Sequence, residues 1–158
     1  MSKKGKYLVI LGSSRSDGET RAIYQKVFKD IKHKFYDISE LDLNFFDYDY
    51  SNQEDDFLKI AEEMGEYENI ILATPVYWYT MSAHMKMFID RISDLITIRK
   101  DLGRNLKGKK LYLLSSYGAT MPIAFEEPFR QTCIYMEMEY VGCLYYYTGK
   151  HGNIALHN

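Results

Sequence analysis

The sequence predicts an α/β chain in which a five-stranded parallel sheet of order 2-1-3-4-5 is sandwiched, in three layers, between helices on both faces. Two observations carry this. Short apolar runs alternate with stretches of helical periodicity, the pattern of right-handed strand-helix-strand crossovers that build parallel sheets. The runs at 7–11, 69–74 and 111–114 are apolar at nearly every position, as strands covered on both faces must be. A length of 158 residues suits one domain spanning 1–158, with no repeat or linker.

The first strand, Tyr7-Leu8-Val9-Ile10-Leu11, stops at Gly12. Ile23, Val27 and Ile31, with Tyr24 and Phe28 beside them, then recur at helical spacing and mark the first helix. Residues 34–38 form a short second strand. The segment 39–56 is polar, aromatic and acidic without a period, and reads as a long solvated loop; Asp42, Asp47, Asp49, Glu54, Asp55 and Asp56 match no Ca²⁺ loop and lack its glycine. Phe57, Ile60, Ala61 and Met64 give a second helix ending near Gly65. The third strand, 69–74, is stopped by Pro75. Met81, Met85, Phe88, Ile89, Ile92, Leu95 and Ile96 form the clearest helical stripe and predict one third helix. The fourth strand, 111–114, is reached through Gly108-Lys109-Lys110. Phe125, Phe129, Cys133 and Met136 mark a fourth helix after Pro122, and 140–147 is the last strand, followed by a tail.

A net charge of −2 speaks against nucleic acid or an anionic membrane as partner, and the basic start at Lys3-Lys4-Gly5-Lys6 reads as a solvated terminus. No apolar run is long enough to span a bilayer or to serve as a signal-peptide core, so a cytoplasmic protein is expected. Cys133 and Cys143 have no metal-type spacing and read as reduced core thiols; no metal site is expected. Fifteen tyrosines suit a planar ligand or a partner surface, where an apolar face ends in a hydrogen bond.

The order 2-1-3-4-5 is that of a flavodoxin-like, doubly wound sheet. Its ligands sit beyond the carboxyl ends of the strands, at the switch point between strands one and three. Three loops converge there: 13–20, 75–82 and 115–120. The first has small and hydroxylated residues, one arginine, and a helix start behind it, where first-turn amides lack partners and favour an anion. It matches neither a Walker loop nor a dinucleotide fingerprint, and so suits a monophosphate; the plainer reading is a tight connection with Asp17 capping the helix. The second places Tyr77, Trp78 and Tyr79 in succession beside Pro75, fit to cover a flat heteroaromatic ring or to pack on the sheet end or a partner subunit. The third, Ser115-Ser116-Tyr117-Gly118-Ala119-Thr120, is small enough for its amides to approach a ring edge, or is a plain turn.

On these residues the chain resembles a known family. Gly-Ser-Ser-Arg-Ser-Asp-Gly-Glu-Thr from Gly12, and Ala-Thr-Pro-Val-Tyr-Trp-Tyr-Thr-Met-Ser from Ala73 with Lys86 and Phe88-Ile89-Asp90-Arg91, are similar to the flavodoxin-like NAD(P)H-dependent FMN reductases and their quinone, azo and nitro reductase relatives. The resemblance spans about Tyr7 to Tyr147. It implies FMN as cofactor, with NADPH or NADH as hydride donor and a small-molecule electron acceptor. It also implies that Ser13, Arg15, Ser16, Gly18, Glu19 and Thr20 hold the FMN phosphate, Gly18 and Glu19 through their amides. Pro75, Val76, Tyr77, Trp78 and Tyr79 would line the ring, and Ser116, Tyr117 and Gly118 its pyrimidine edge. No catalytic side chain is implied, because the hydride passes to the flavin N5 and on to the acceptor. Glu19 departs from the pattern, since the family commonly has Asn there, and its carboxylate is expected to turn to solvent. Lys86 and Asp90, four apart, are spaced to pair. His84 is expected on a helix surface. The apolar third helix and the resemblance together imply a homodimer. An FMN electron carrier without its own nicotinamide substrate is the alternative. A low-molecular-weight phosphatase is excluded because neither cysteine starts Cys-x-x-x-x-x-Arg, and a response regulator because Gly12 stands where its aspartate belongs.

Overall fold

The computed structural model describes residues 6–150 and 153–157; the basic start at Lys3, Lys4 and Gly5 lies outside them. The elements are β1 (Tyr7–Leu11), α1 (Glu19–Val27), β2 (His33–Asp37), α2 (Phe57–Glu66), β3 (Asn69–Ala73), α3 (Ala83–Asp90), α4 (Ile92–Ile96), α5 (Lys100–Arg104), β4 (Lys110–Tyr117), α6 (Glu127–Tyr135), β5 (Glu139–Tyr147) and β6 (Asn153–His157). The sheet order is β2-β1-β3-β4-β5-β6. The first five strands are parallel in the expected order, and β6 runs antiparallel along β5. The described residues therefore form six strands, not five. The sixth comes from the segment read as a tail, where the run Asn153-Ile154-Ala155-Leu156-His157 is too short to announce an edge strand.

Alternation along each strand divides the core. Leu8 and Ile10 of β1 face one side, with Phe57, Ile60 and Met64 of α2, Met85 and Phe88 of α3, and Phe129 and Cys133 of α6. Val9 and Leu11 face the other, where Ile23, Tyr24 and Phe28 from α1 and its end pack. Helices thus lie on both faces, with α1 covering the second. Cys133 and Cys143 are buried free thiols, as expected; burial pushes Cys133 up to about 12 and Cys143 in the same direction.

Two departures from the sequence reading share one cause. The apolar stripe from Met81 to Ile96 is not one helix: it breaks between Asp90 and Ile92, where Asp94 N–H bonds Arg91 O three residues back at 3.0 Å. The acidic segment 39–56 is not merely solvated, because Asp55 is buried. Arg91 explains both. Its side chain is 1% exposed and turns inward, with Nε donating to Asp94 Oδ2 at 2.9 Å and Nη2 to Asn52 O at 2.8 Å. Nη1 donates to Asn44 O at 3.1 Å and to Asp55, and the guanidinium lies 4.8 Å from the Phe57 ring centre. Burial alone would depress this cation, but hydrogen bonds to Asp55 and Asp94 outweigh it and hold the group charged. The five-residue α5 was not anticipated either; it is anchored by buried Leu102 and Leu106, too short a stripe to show a period.

Replacing Arg91 with Met strands two buried carboxylates, so Arg91→Met should cost about 3–5 kcal/mol in urea unfolding at neutral pH. Asp55→Asn with Arg91→Met should recover part of that loss.

Candidate functional site

The carboxyl ends of β1, β3 and β4 are stapled together by buried hydroxyls. Ser82 Oγ donates to Gly12 O at 2.6 Å and accepts from Met85 N–H at 3.1 Å, capping α3. Thr74 Oγ1 accepts from Ser82 N–H at 3.1 Å, and Ser115 Oγ donates to Thr74 O at 2.6 Å. Thr20 and Ser116 share a hydroxyl bond of 2.7 Å between α1 and β4. Strand pairing continues past the strand ends through Gly12 N–H to Ala73 O, 2.8 Å, and Val76 N–H to Ser116 O, 2.8 Å. Any Cβ at Gly12 would stand 2.9 Å from the Met85 backbone, so glycine is what lets α3 approach β1.

Above these staples lies an open cleft of about 200 Å³ at the predicted switch point. Ser13, Arg15, Gly18, Glu19 and Thr20 form one wall; Pro75, Val76 and Tyr77 form a second, and Ser116, Tyr117 and Gly118 a third. A second hollow of about 250 Å³ shares Val76, Tyr117 and Gly118 with it and adds Trp78 and Tyr79. Thirteen of the fourteen residues named from sequence therefore border one continuous depression. Ser16 is the exception: Gly18 N–H folds back to Arg15 O, and Ser16 opens beside Asp17, Arg21 and Glu40 instead. Thr148 was missed. It lines the cleft one residue beyond β5, its N–H bonding Tyr117 O at 2.9 Å. The rule that ligands gather at strand carboxyl ends would have reached it had β5 been included.

The first wall suits an anion. Helix α1 has Gly18 as its N-cap and no side chain bonding its first turn, so those amides are left for a ligand. Asp17 does not cap the helix; it is exposed and sits 3.6 Å from Arg15 Nε. Glu19 is exposed at the helix start and borders the cleft. His84 lies on α3 and is half-buried, with Nδ1 buried and unpartnered among the described residues. Lys86 and Asp90 pair, as their spacing predicts.

The aromatic wall is a tight turn. Tyr77 and Thr80 exchange backbone hydrogen bonds of 2.9 and 3.1 Å, while Trp78 and Tyr79 take φ of 49° and 68°. Two positive φ values in a two-residue loop are the geometry of a type I′ turn, which normally selects Asn-Gly. Here two bulky aromatics carry that strain and remain 91% and 65% exposed.

Such a cleft, an uncapped helix start beside a flat aromatic wall, fits a phosphorylated heteroaromatic group. The sequence model of the NADPH-dependent FMN reductase family matches residues 6–152. The chain belongs to this family. It is 31% identical over 121 residues to YwqN of Bacillus subtilis, provisionally described as an NAD(P)H-dependent FMN-containing oxidoreductase, an alignment covering 72% of this chain and 67% of that one. The Trp repressor binding protein of Bacillus subtilis superposes with a TM-score of 0.71 at 24% identity, over 89% of this chain and 83% of its own. General stress protein 14 of Treponema denticola, solved in complex with FMN, superposes at 0.64 and 18% identity, covering 89% and 84%. An FMN reductase of this family is an oxidoreductase with FMN as cofactor and NAD(P)H as electron donor. No group of three or more metal-ligating side chains occurs among the described residues, and no helix there is long and apolar enough to cross a membrane.

Tyr79→Gly relieves a left-handed side chain and should stabilise the FMN-free protein by about 1 kcal/mol, raising its calorimetric midpoint by about 2–4 °C.

Proposed function

We propose that this reductase passes electrons from NADPH or NADH to a small planar acceptor, a flavin, quinone, azo or nitro compound, at the open side of the cleft. The carrying observation is the exposed Trp78-Tyr79 turn beside an uncapped helix start in one depression. FMN, when bound, supplies the hydride chemistry. The chain supplies place and polarity. The amides of Gly18 and Glu19, the Ser13 and Thr20 hydroxyls and the Arg15 guanidinium hold the phosphate. Pro75, Val76, Tyr77, Trp78 and Tyr79 orient the ring plane, and Ser116, Tyr117 and Gly118 meet its pyrimidine edge, where amide dipoles offset negative charge on reduction. No side chain acts as acid or base. The working unit is a homodimer in the cytoplasm that needs neither nucleic acid nor membrane. Its exposed aromatics are surfaces for a planar substrate or a second subunit.

Two measurements test this. Arg15→Ala and Trp78→Ala should each weaken FMN binding about tenfold or more by fluorescence titration, while Glu19→Gln should tighten it by removing a like charge from the phosphate. Parent-like binding in both alanine variants would remove these residues from the site. Anaerobic titration of the FMN-loaded protein with NADPH, then NADH, should bleach the visible flavin band with at least one of them. Colour should return on adding a quinone, azo or nitro compound. A band untouched by both nucleotides would overturn the reductase reading in favour of a carrier.

A further inference from the structure

The carboxyl end of β4 is held by more than strand pairing. Its register with β5 ends where Tyr117 stands beside Tyr147. One residue on, Thr148 grips the Tyr117 carbonyl twice: its N–H donates at 2.9 Å, continuing the ladder, and its Oγ1 donates at 3.2 Å. A carbonyl oxygen has two lone pairs, and one residue takes up both. The Tyr117 ring is held as well, meeting Tyr145 edge-on at 6.0 Å and Tyr147 at 5.4 Å between ring centres. Glycine at 149 lets the Tyr147 ring fold back over the turn, because a Cβ there would fall 2.1 Å from Tyr147 Cζ. Beyond that turn β6 pairs back along β5, starting with Asn153 opposite Tyr147, so both ends of the turn are anchored.

This grip decides where a neighbouring donor points. Ser116 O accepts from Val76 N–H on the β3 side and Tyr117 O accepts from Thr148 on the β5 side, the alternation of an extended strand. The peptide bond after Tyr117 is trans and planar, so the Gly118 N–H is directed opposite to the Tyr117 carbonyl, toward the β3 side. Pro75 and Val76 form the facing wall of the cleft there. The Gly118 N–H has no hydrogen-bond partner among the described residues, so it is a donor left for a ligand between the two walls. Rotating that peptide would carry the donor out of the cleft and would break both Thr148 bonds. Thr148 cannot stand in as the donor, since its one hydroxyl hydrogen is spent on Tyr117 O. On the placement of FMN proposed above, on which this rests, we propose that Thr148 is a positioning residue of the flavin site. Its hydroxyl holds the Tyr117 carbonyl, keeps the Gly118 amide aimed at the pyrimidine edge of FMN, and so favours the reduced cofactor. Negative charge grows at that edge on reduction; a fixed donor there binds the reduced form more tightly than the oxidised one, and loosening it lowers the reduction potential.

The test is the two-electron midpoint potential of the FMN-loaded protein, read against a reference dye during slow reduction with dithionite, for the parent, Thr148→Val and Thr148→Ser. Valine keeps the branched shape and the backbone bond but removes the hydroxyl; serine keeps the hydroxyl. Thr148→Val should bind reduced FMN about tenfold more weakly relative to oxidised FMN, a potential about 30 mV lower, whereas Thr148→Ser should match the parent. Backbone hydrogen exchange gives a second reading: the Gly118 amide of the FMN-loaded parent should be protected, and in Thr148→Val it should exchange about tenfold faster or more. Should valine prevent FMN loading, Thr148→Ala takes its place with the same expectation. A hydroxyl with a merely structural role would lower the unfolding midpoint on removal and leave the potential alone. A parental potential without the hydroxyl overturns the proposal, as does a serine variant whose potential falls with valine's, or a Gly118 amide that exchanges alike in parent and valine variant. Dithionite supplies the electrons whether or not a nicotinamide nucleotide reduces the flavin, so this result and the spectral test of the reductase fail independently.

Discussion

Ser82 is the joint on which the site depends. A parallel sheet that ends at a ligand site leaves carbonyl groups facing neither water nor another strand, and each costs about 1–3 kcal/mol if unpaired. Ser82 satisfies Gly12 O while capping α3, and Ser115 satisfies Thr74 O. The loops that form the cleft are therefore fixed to the sheet itself. Their convergence follows from strand order, and the fully buried hydroxyls make it rigid.

Rigidity at the base permits strain at the rim. Trp78 and Tyr79 occupy a conformation that glycine or asparagine would take with little cost, and nothing in their own turn repays it beyond the two backbone bonds of Tyr77 and Thr80. Their side chains are exposed on the rim of the cleft.

Arg91 plays the corresponding part on the helical layer. A guanidinium so thoroughly buried is held by five N–H groups that all find acceptors, and it organises the acidic loop in doing so. The ordered loop, with Phe45 and Tyr48 outward, is then a surface rather than a flexible excursion. The cleft and the acidic loop thus rest on different interactions, hydroxyl staples for one and an ion cluster for the other.

The sequence by itself determined the parallel sheet, its order through five strands, the α2 and α6 cores, and a set of fourteen site residues of which thirteen border the depression. These are properties of local pattern: period, uninterrupted apolar runs, and loops at strand carboxyl ends. Tertiary structure alone decided the rest. The break at Arg91 could not be read from a continuous apolar stripe, because its cause lies in Asp55, thirty-six residues away. The turning of Ser16 out of the cleft depended on one backbone bond between Gly18 and Arg15. The strand β6 is five residues long, too short to stand out in sequence, and pairs along β5. The first and last are contacts between distant segments and the second is a choice within one turn, and none leaves a period in the chain.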